Sequence, residues 1–250
     1  ALYAFVDELN ELLRHYLRCG GFPRAMYEEM EGGGVSDSTY ETLLYWIGGD
    51  VLKLSRSKEI AFAVLKGIAR RYGTRFSLNA LRSELALGSH RTVGEYLELL
   101  ESLFVLRQYF QLRGMDKLLR KERKAYFVDP LLANLAAKVL LGREIEESLL
   151  VEGVVGEHLK RAYPEPRHVV GFFVGQHSET DFVVHPERIG VEVKWKRKVR
   201  GEEFPNPRKF KRKLLLSVED YEEGEVAVVP VSVFLATLEI PSEVPYRITR

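Results

Sequence analysis

The stretch TDFVVHPERIGVEVKWK, Thr180–Lys196, decides how this chain is read. Two apolar-rich runs, TDFVV and RIGVEVKWK, flank the polar turn HPER, which is the pattern of a β-hairpin. Side chains alternate across a strand, so Glu192 and Lys194 share one face while Val191, Val193 and Trp195 share the other. A hairpin carries Asp181, in the first run, toward Glu192. Two carboxylates so placed can hold one hard cation, Mg²⁺ or Mn²⁺, of the kind that binds through one or two carboxylates and keeps several waters. Such an ion generates a hydroxide nucleophile and steadies the charge growing on a phosphate. Lys194 beside it would position or activate the attacking water. The same residues also allow a plainer reading: an ion pair between Glu192 and Lys194, an i,i+4 pair between Glu157 and Arg161, and Asp181 as an edge-strand charge.

A basic segment follows directly. From Gly190 to Lys213 there are ten basic residues (Lys194, Lys196, Arg197, Lys198, Arg200, Arg208, Lys209, Lys211, Arg212, Lys213) against Glu192, Glu202 and Glu203, a net +7. Phosphate backbones reward such clusters through counterion release, and positive charge offsets the repulsion between a phosphate and an acidic metal site. Pro205 and Pro207 predict a loop, and Arg208–Leu216 reads as a helix with basic residues on more than one face. Trp195 and Phe210 are candidates for stacking on bases, with core packing the favoured reading for Trp195. A solvated loop, neutralised in part by the acidic run Glu219–Glu225, is the alternative.

Upstream, helical spacing covers Tyr3–Arg18, stopped by Gly20-Gly21-Phe22-Pro23, then Ser36–Leu54 beyond a Gly32-Gly33-Gly34 linker, and Lys58–Tyr72. Ser77 caps a short helix, Gly88 breaks it, and Ser89 caps a second one. Two short helices about a glycine turn form a helix-turn-helix pattern. Phe104–Leu112 and Lys124–Val128 read as strands joined by the tip GMDKLLRKER, which makes a winged helix. DNA contacts would then come from His90, Arg91 and Thr92 at the exposed start of the second helix, and from Arg113, Lys117, Arg120, Lys121 and Arg123 along the wing. A helical module for protein contacts is the other reading. Leu131–Leu141 and Glu144–Tyr163 are helical, and from His168 onward the pattern turns to strands, including both halves of EVAVVPVSVFL.

Composition bounds the remaining classes. The 250 residues are 46% hydrophobic and 29% charged, as in a globular protein. A net charge of +1 offers no global argument for nucleic acid, so any such argument is local. The single cysteine, Cys19, excludes an internal disulfide and fits a reducing cytoplasm. No run approaches the roughly 20 apolar residues of a membrane span. The scarcity of Gln, Asn and Cys beside many charges resembles a thermophile's composition. The six histidines show no metal-ligand spacing with cysteine; His168, His177 and His185 read as loop residues. There is no G-x-x-x-x-G-K-[ST] loop, so the chain is not expected to hydrolyse ATP.

Asp181 followed by Glu192-Val193-Lys194 resembles the PD-(D/E)xK nuclease superfamily. The resemblance implies Asp181 and Glu192 as metal ligands and Lys194 as a catalytic residue. It adds Glu157, in VEGVVGEHLKRAY, as a third metal-ligating and catalytic acid from the helix before the first core strand. The ordered set YLRCGGFPRAM, SHRTVGEYLELLESLFVLRQ, KAYFVDPLL, VEGVVGEHL, TDFVV and VEVKWK is similar, over nearly the whole chain, to the C-terminal region of archaeal-type AAA ATPases. These carry a winged helix and a PD-(D/E)xK-like domain after a P-loop module. Relatives carry Trp-Arg in the strand before the aspartate, where this chain has Phe172-Phe173-Val174.

The expectation is an α+β chain: 1–35 a helical linker segment, 36–143 a helical and winged-helix domain, and 144–250 a PD-(D/E)xK nuclease-like α/β domain with a mixed sheet. The expected function is DNA binding with a Mg²⁺- or Mn²⁺-dependent endonuclease site. The alternative is a non-catalytic regulatory or oligomerisation region of an ATPase, acting through a protein partner or a second copy, with no membrane involved.

Overall fold

The computed structural model describes residues 2–113, 117–164, 169–176 and 178–241, without the side chains of 113 and 117–120. It is an α+β fold. In chain order the α-helices and strands are α1 Val6–Cys19, α2 Pro23–Met30, α3 Asp37–Lys53, α4 Lys58–Arg70, α5 Leu78–Glu84, α6 His90–Ser102, β1 Leu106–Arg113, β2 Lys117–Phe127, α7 Pro130–Leu141, α8 Glu147–Ala162, β3 Val170–Val174, β4 Glu179–Val184, β5 Ile189–Val193, β6 Arg212–Ser217, β7 Ala227–Pro230 and α9 Val231–Thr237. No helix among the described residues is long and apolar enough to cross a membrane.

The chain divides into two compact units. The first comprises Asp7–Gln111 and Leu119–Val154, the second Ala1–Val6, Leu112–Leu118 and Val155–Arg250. The expected boundary at 143/144 therefore moves into α8. The expected linker 1–35 is corrected as well, because α1 and α2 pack into the first unit. Leu13, Leu17 and Ala25 are buried there, and Asn134 Nδ2 on α7 donates to the Leu17 carbonyl at 2.9 Å.

Helix starts in the first unit follow side-chain capping, which satisfies otherwise orphaned N–H groups. The hydroxyls of Ser36, Ser57, Ser77 and Ser89 accept from the backbone at the starts of α3, α4, α5 and α6. Asp129 does so for α7, with Pro130 in its first turn. Before α5, Phe76 and Arg123 exchange backbone hydrogen bonds of 2.9 and 3.0 Å, an antiparallel bridge onto β2. β2 begins at Lys117, so it takes up most of the stretch expected as the hairpin tip; Gly114–Asp116 lie outside the described residues. Arg123, expected on the wing, is only 8% exposed. It donates to Gln108 Oε1 at 2.8 Å, and Gln108 donates to Glu101 Oε2 at 2.9 Å. Inside a protein such a hydrogen-bonded chain is structural, and it withdraws Arg123 from solvent.

In the second unit the strands run in the order β3-β4-β5-β6-β7. β3, β4 and β5 form an antiparallel meander, whereas β6 lies parallel to β5 and β7 parallel to β6. Two expectations change here. Arg208–Leu216 is not a helix: after a short 3₁₀ turn at Pro207–Lys209, Arg212–Ser217 form β6. The Leu214-Leu215-Leu216 run suits a strand flanked by parallel neighbours, where both faces are covered. EVAVVPVSVFL is likewise not all strand. Pro230 ends β7 and α9 begins at Val231, burying Val231, Val233 and Phe234. Proline has no N–H to continue a ladder.

Candidate functional site

The hairpin in the second unit forms as read, with Phe182 opposite Val191, Val183 opposite Gly190 and Val184 opposite Ile189. One step further along this register sets Asp181 opposite Glu192. The opposing strand adds a feature absent from simple alternation. Gly171 pairs with Val183 but Phe173 with Thr180, so β4 advances three residues while β3 advances two. Asp181 lies within that irregularity. An extra residue in one strand frees a backbone position from the ladder and re-aims the local side chains.

What fills the gap is a reciprocal contact. Asp181 N–H donates to Glu192 Oε2 at 3.3 Å, and Val193 N–H donates to Asp181 Oδ2 at 2.9 Å. Lys194 Nζ lies 2.9 Å from Glu192 Oε1, and the Lys194 backbone N–H donates to the Leu216 carbonyl at 2.8 Å, fixing the residue just past β5. Glu192 is 5% exposed. A buried carboxylate held by a cation and a backbone donor is a satisfied one. Burial opposes the Lys194 charge, but the hydrogen bond to Glu192 and the charges of Glu192, Asp181 and Glu203 outweigh it and hold its pKa above the usual value. Lys194 is therefore an ammonium at neutral pH, suited to steady negative charge rather than to take a proton from water.

Glu157, on the half of α8 that belongs to this unit, is 3% exposed, and Arg161 Nε donates to its Oε1 at 2.9 Å. Both ion pairs of the plainer reading are thus formed, although Glu192 and Glu157 are buried rather than superficial. Among the described residues no three His, Cys, Asp or Glu side chains group so as to hold a metal ion. Asp181 and Glu192 are brought together as a two-carboxylate donor set. That set fits Mg²⁺ or Mn²⁺, which need only one or two protein carboxylates.

The basic segment is anchored over the face that carries Glu192. A Cβ on Gly190 would fall 2.7 Å from Phe210 and 2.9 Å from Phe204, so both rings lie on the Gly190 face of β5. Glu192, two residues on, shares that face. Leu215, opposite Glu192 on β6, joins Val199, Phe204 and Phe210 in one buried cluster. Phe210 is thus a core residue, edge-on to Phe173 and Phe204, and not free to stack on bases. Lys213 is corrected similarly: it is 8% exposed and ion-paired with Glu225, so it is not a phosphate contact. Lys196, Arg197, Lys198, Arg200, Arg208, Lys209, Lys211 and Arg212 are exposed.

At the start of α6, His90 and Arg91 are exposed and Thr92 is half-buried. Arg91 Nε pairs with Glu95 Oε1 at 3.2 Å. Lys121 is exposed on β2. The side chains of Arg113, Lys117 and Arg120, and His168 and His177 altogether, lie outside the described residues. Glu203 was not found by sequence spacing. It acts on Lys194 as a nearby negative charge, and its carboxylate accepts from the Arg200 N–H at 2.9 Å.

A family model described as Domain of unknown function (DUF8612) matches residues 10–142, just over half of the chain. Asp181, Glu192, Lys194 and Glu157 lie beyond the matched segment. No curated protein and no solved structure matches the chain.

Proposed function

The chain belongs to that family, DUF8612, and from the geometry beyond the matched segment we propose a DNA-binding protein whose second unit carries a divalent-metal phosphodiester-cleaving site. The observation that carries this reading is the mutual hold of Asp181 and Glu192 in an irregular stretch of β4, with Lys194 at 2.9 Å from Glu192. The order α8, antiparallel β3-β4-β5 and parallel β6 supports a PD-(D/E)xK-like arrangement. The order α4, bridge, α5, α6, β1-β2 supports a winged helix. Both fit the resemblance to the C-terminal region of archaeal-type AAA ATPases.

Asp181 and Glu192 would hold the metal, whose chemistry when bound is to acidify a water and to stabilise charge on the phosphate. The chain's own residues do the rest. Lys194, fixed by Glu192, presents an ammonium to the phosphate oxygens. The exposed lysines and arginines of 196–212 draw the backbone toward an otherwise acidic centre.

The test is a screen of labelled duplex DNA, single-stranded DNA and RNA with Mg²⁺ and Mn²⁺, using the chain and its Asp181→Ala and Glu192→Ala variants. Duplex binding by all three, with metal-dependent cleavage only by the unmodified chain, is expected. Absence of binding to every nucleic acid would sink the reading. A second reading, a non-catalytic region that contacts protein, is favoured by one observation: Arg161 and Lys194 already neutralise Glu157 and Glu192. Duplex binding without cleavage under any metal would select a binding module without the nuclease step.

A further inference from the structure

Helix α3 is apolar on two sides. Tyr40, Leu43, Ile47 and Val51 are buried along one. Along the other, Tyr45 is 80% exposed, Trp46 57% and Leu52 54%. A helix that is apolar all round belongs in an interior, so an exposed side of this kind calls for a cover.

The exposed side specifies that cover by its order. Glu41, Tyr45, Gly49 and Lys53 follow one another at four-residue steps, which places them on one face over about 18 Å of helix. Gly49 has nothing within 4 Å of the position a Cβ would take, so the backbone there is open to close approach. The stripe reads acid, ring, gap, base. Run backwards it reads base, gap, ring, acid, its own complement in both shape and charge.

We propose that α3 is the interface of a homodimer, in which two α3 helices pack antiparallel about a two-fold axis level with Ile47. Tyr45 of each copy lies over the partner's Gly49, and Glu41 of each faces the partner's Lys53. One patch serves both copies, as a two-fold interface requires. Trp46 and Leu52 flank the seam. Four rings from two copies contribute on the order of 500 Å², the size of a concentration-dependent association rather than an obligate one. Lys53 also lies 2.7 Å from Asp50 of its own helix, which holds its ammonium at the end of the stripe.

Sedimentation velocity on the 250-residue chain from about 1 µM to about 1 mM tests this. The chain should shift from monomer to dimer over that range, and Tyr45→Ser should raise the dissociation constant at least ~10-fold. Glu41→Lys alone sets Lys against Lys, and Lys53→Glu alone sets Glu against Glu, so each should weaken the dimer by a similar factor. An equimolar mixture of these two variants restores both ion pairs and should dimerise within about 3-fold of the unmodified chain. All three positions are exposed, and unchanged far-ultraviolet circular dichroism checks that folding is retained. A chain that stays monomeric throughout overturns the proposal, including the case where a different protein covers α3. Single variants that dimerise normally, or a mixture that does not recover, overturn the antiparallel pairing.

Discussion

Asp181 and Glu192 each take the other's strand as a hydrogen-bond partner: Asp181 N–H donates to Glu192 Oε2, and Val193 N–H donates to Asp181 Oδ2. In an unbroken ladder those N–H groups would meet carbonyls. Here two carboxylates replace them, at a place where β4 holds one residue too many. Each carboxylate accepts from a backbone N–H of the opposite strand, which ties both side chains to this point of the hairpin without a third protein ligand. That is the arrangement a cation with several retained waters can use.

Asp181→Asn separates the two roles of this side chain. The amide oxygen still accepts from Val193 N–H, while the charge is gone. Calorimetric titration of Mn²⁺ should show binding to the unmodified chain and at least ~10-fold weaker binding to the variant, with little change in melting temperature. Asp181→Ala should also lose Mn²⁺, and it should destabilise by about 1–3 kcal/mol because Val193 N–H is left without its acceptor. Identical isotherms for all three would remove the metal site.

Much of this was legible in the sequence, for reasons that differ by residue. Ser77 and Ser89 announced the starts of α5 and α6 because capping is a local effect, whereas the break falls not at Gly88 but just after Glu84, where Ala86 takes a left-handed φ of 52°. The 180–196 hairpin was legible because alternation and turn chemistry are also local. The extra residue in β4 was not, since it exists only relative to β3. The basic start of Arg212–Ser217 reads as helical on its own, whereas its parallel neighbours β5 and β7, distant in sequence, make it a strand. Lys213 and Arg123 looked like free cations for the same reason: Glu225, Gln108 and Glu101 reach them only in the folded chain.

Gly190 holds the loop and the site together. A methyl group there meets two aromatic rings at under 3 Å, and such overpacking costs typically about 1–3 kcal/mol. Gly190→Ala should lower the melting temperature and displace Phe204 and Phe210, which carry the basic loop. Duplex DNA affinity should fall with it. A melting temperature equal to that of the unmodified chain would show that the loop is not seated on this face.

The exposed and buried lysines of the segment should behave differently. If the segment tracks a phosphate backbone, neutralising Lys209 and Lys211 together should reduce the slope of log K against log salt by about 2 for duplex DNA, equally for unrelated sequences. Lys213→Ala should leave that slope alone and instead lower stability, because its partner Glu225 is lost and an 8%-exposed site is emptied. Arg91→Ala, at the start of α6, should weaken duplex binding. If none of these changes alters DNA affinity, contact with protein becomes the better reading of both surfaces.

The entry to α3 carries a pH dependence of its own. Glu28 accepts from the Ser36 backbone N–H at 2.9 Å, from Thr39 Oγ1 at 2.8 Å, from Ser36 Oγ at 3.0 Å and from Arg24 Nε at 3.2 Å. The Ser36 N–H first, and then the Thr39 hydroxyl, hold its carboxyl down to about 2 from an ordinary 4.5. A depressed carboxylate releases its proton more readily in the native state than in the unfolded chain, so its stabilisation is complete above about pH 4.5 and is lost as pH falls toward 2. Glu28→Gln has no such proton to bind. Thermal melts should therefore show the unmodified chain losing its advantage over Glu28→Gln between pH 4.5 and 2, with a constant difference between pH 5 and 8. Because Ser36 caps α3, the variant should also fray the first turn of that helix, seen as faster amide exchange at Thr39 and Tyr40. Parallel melting curves across the whole acid range would show that Glu28 does not set the start of α3.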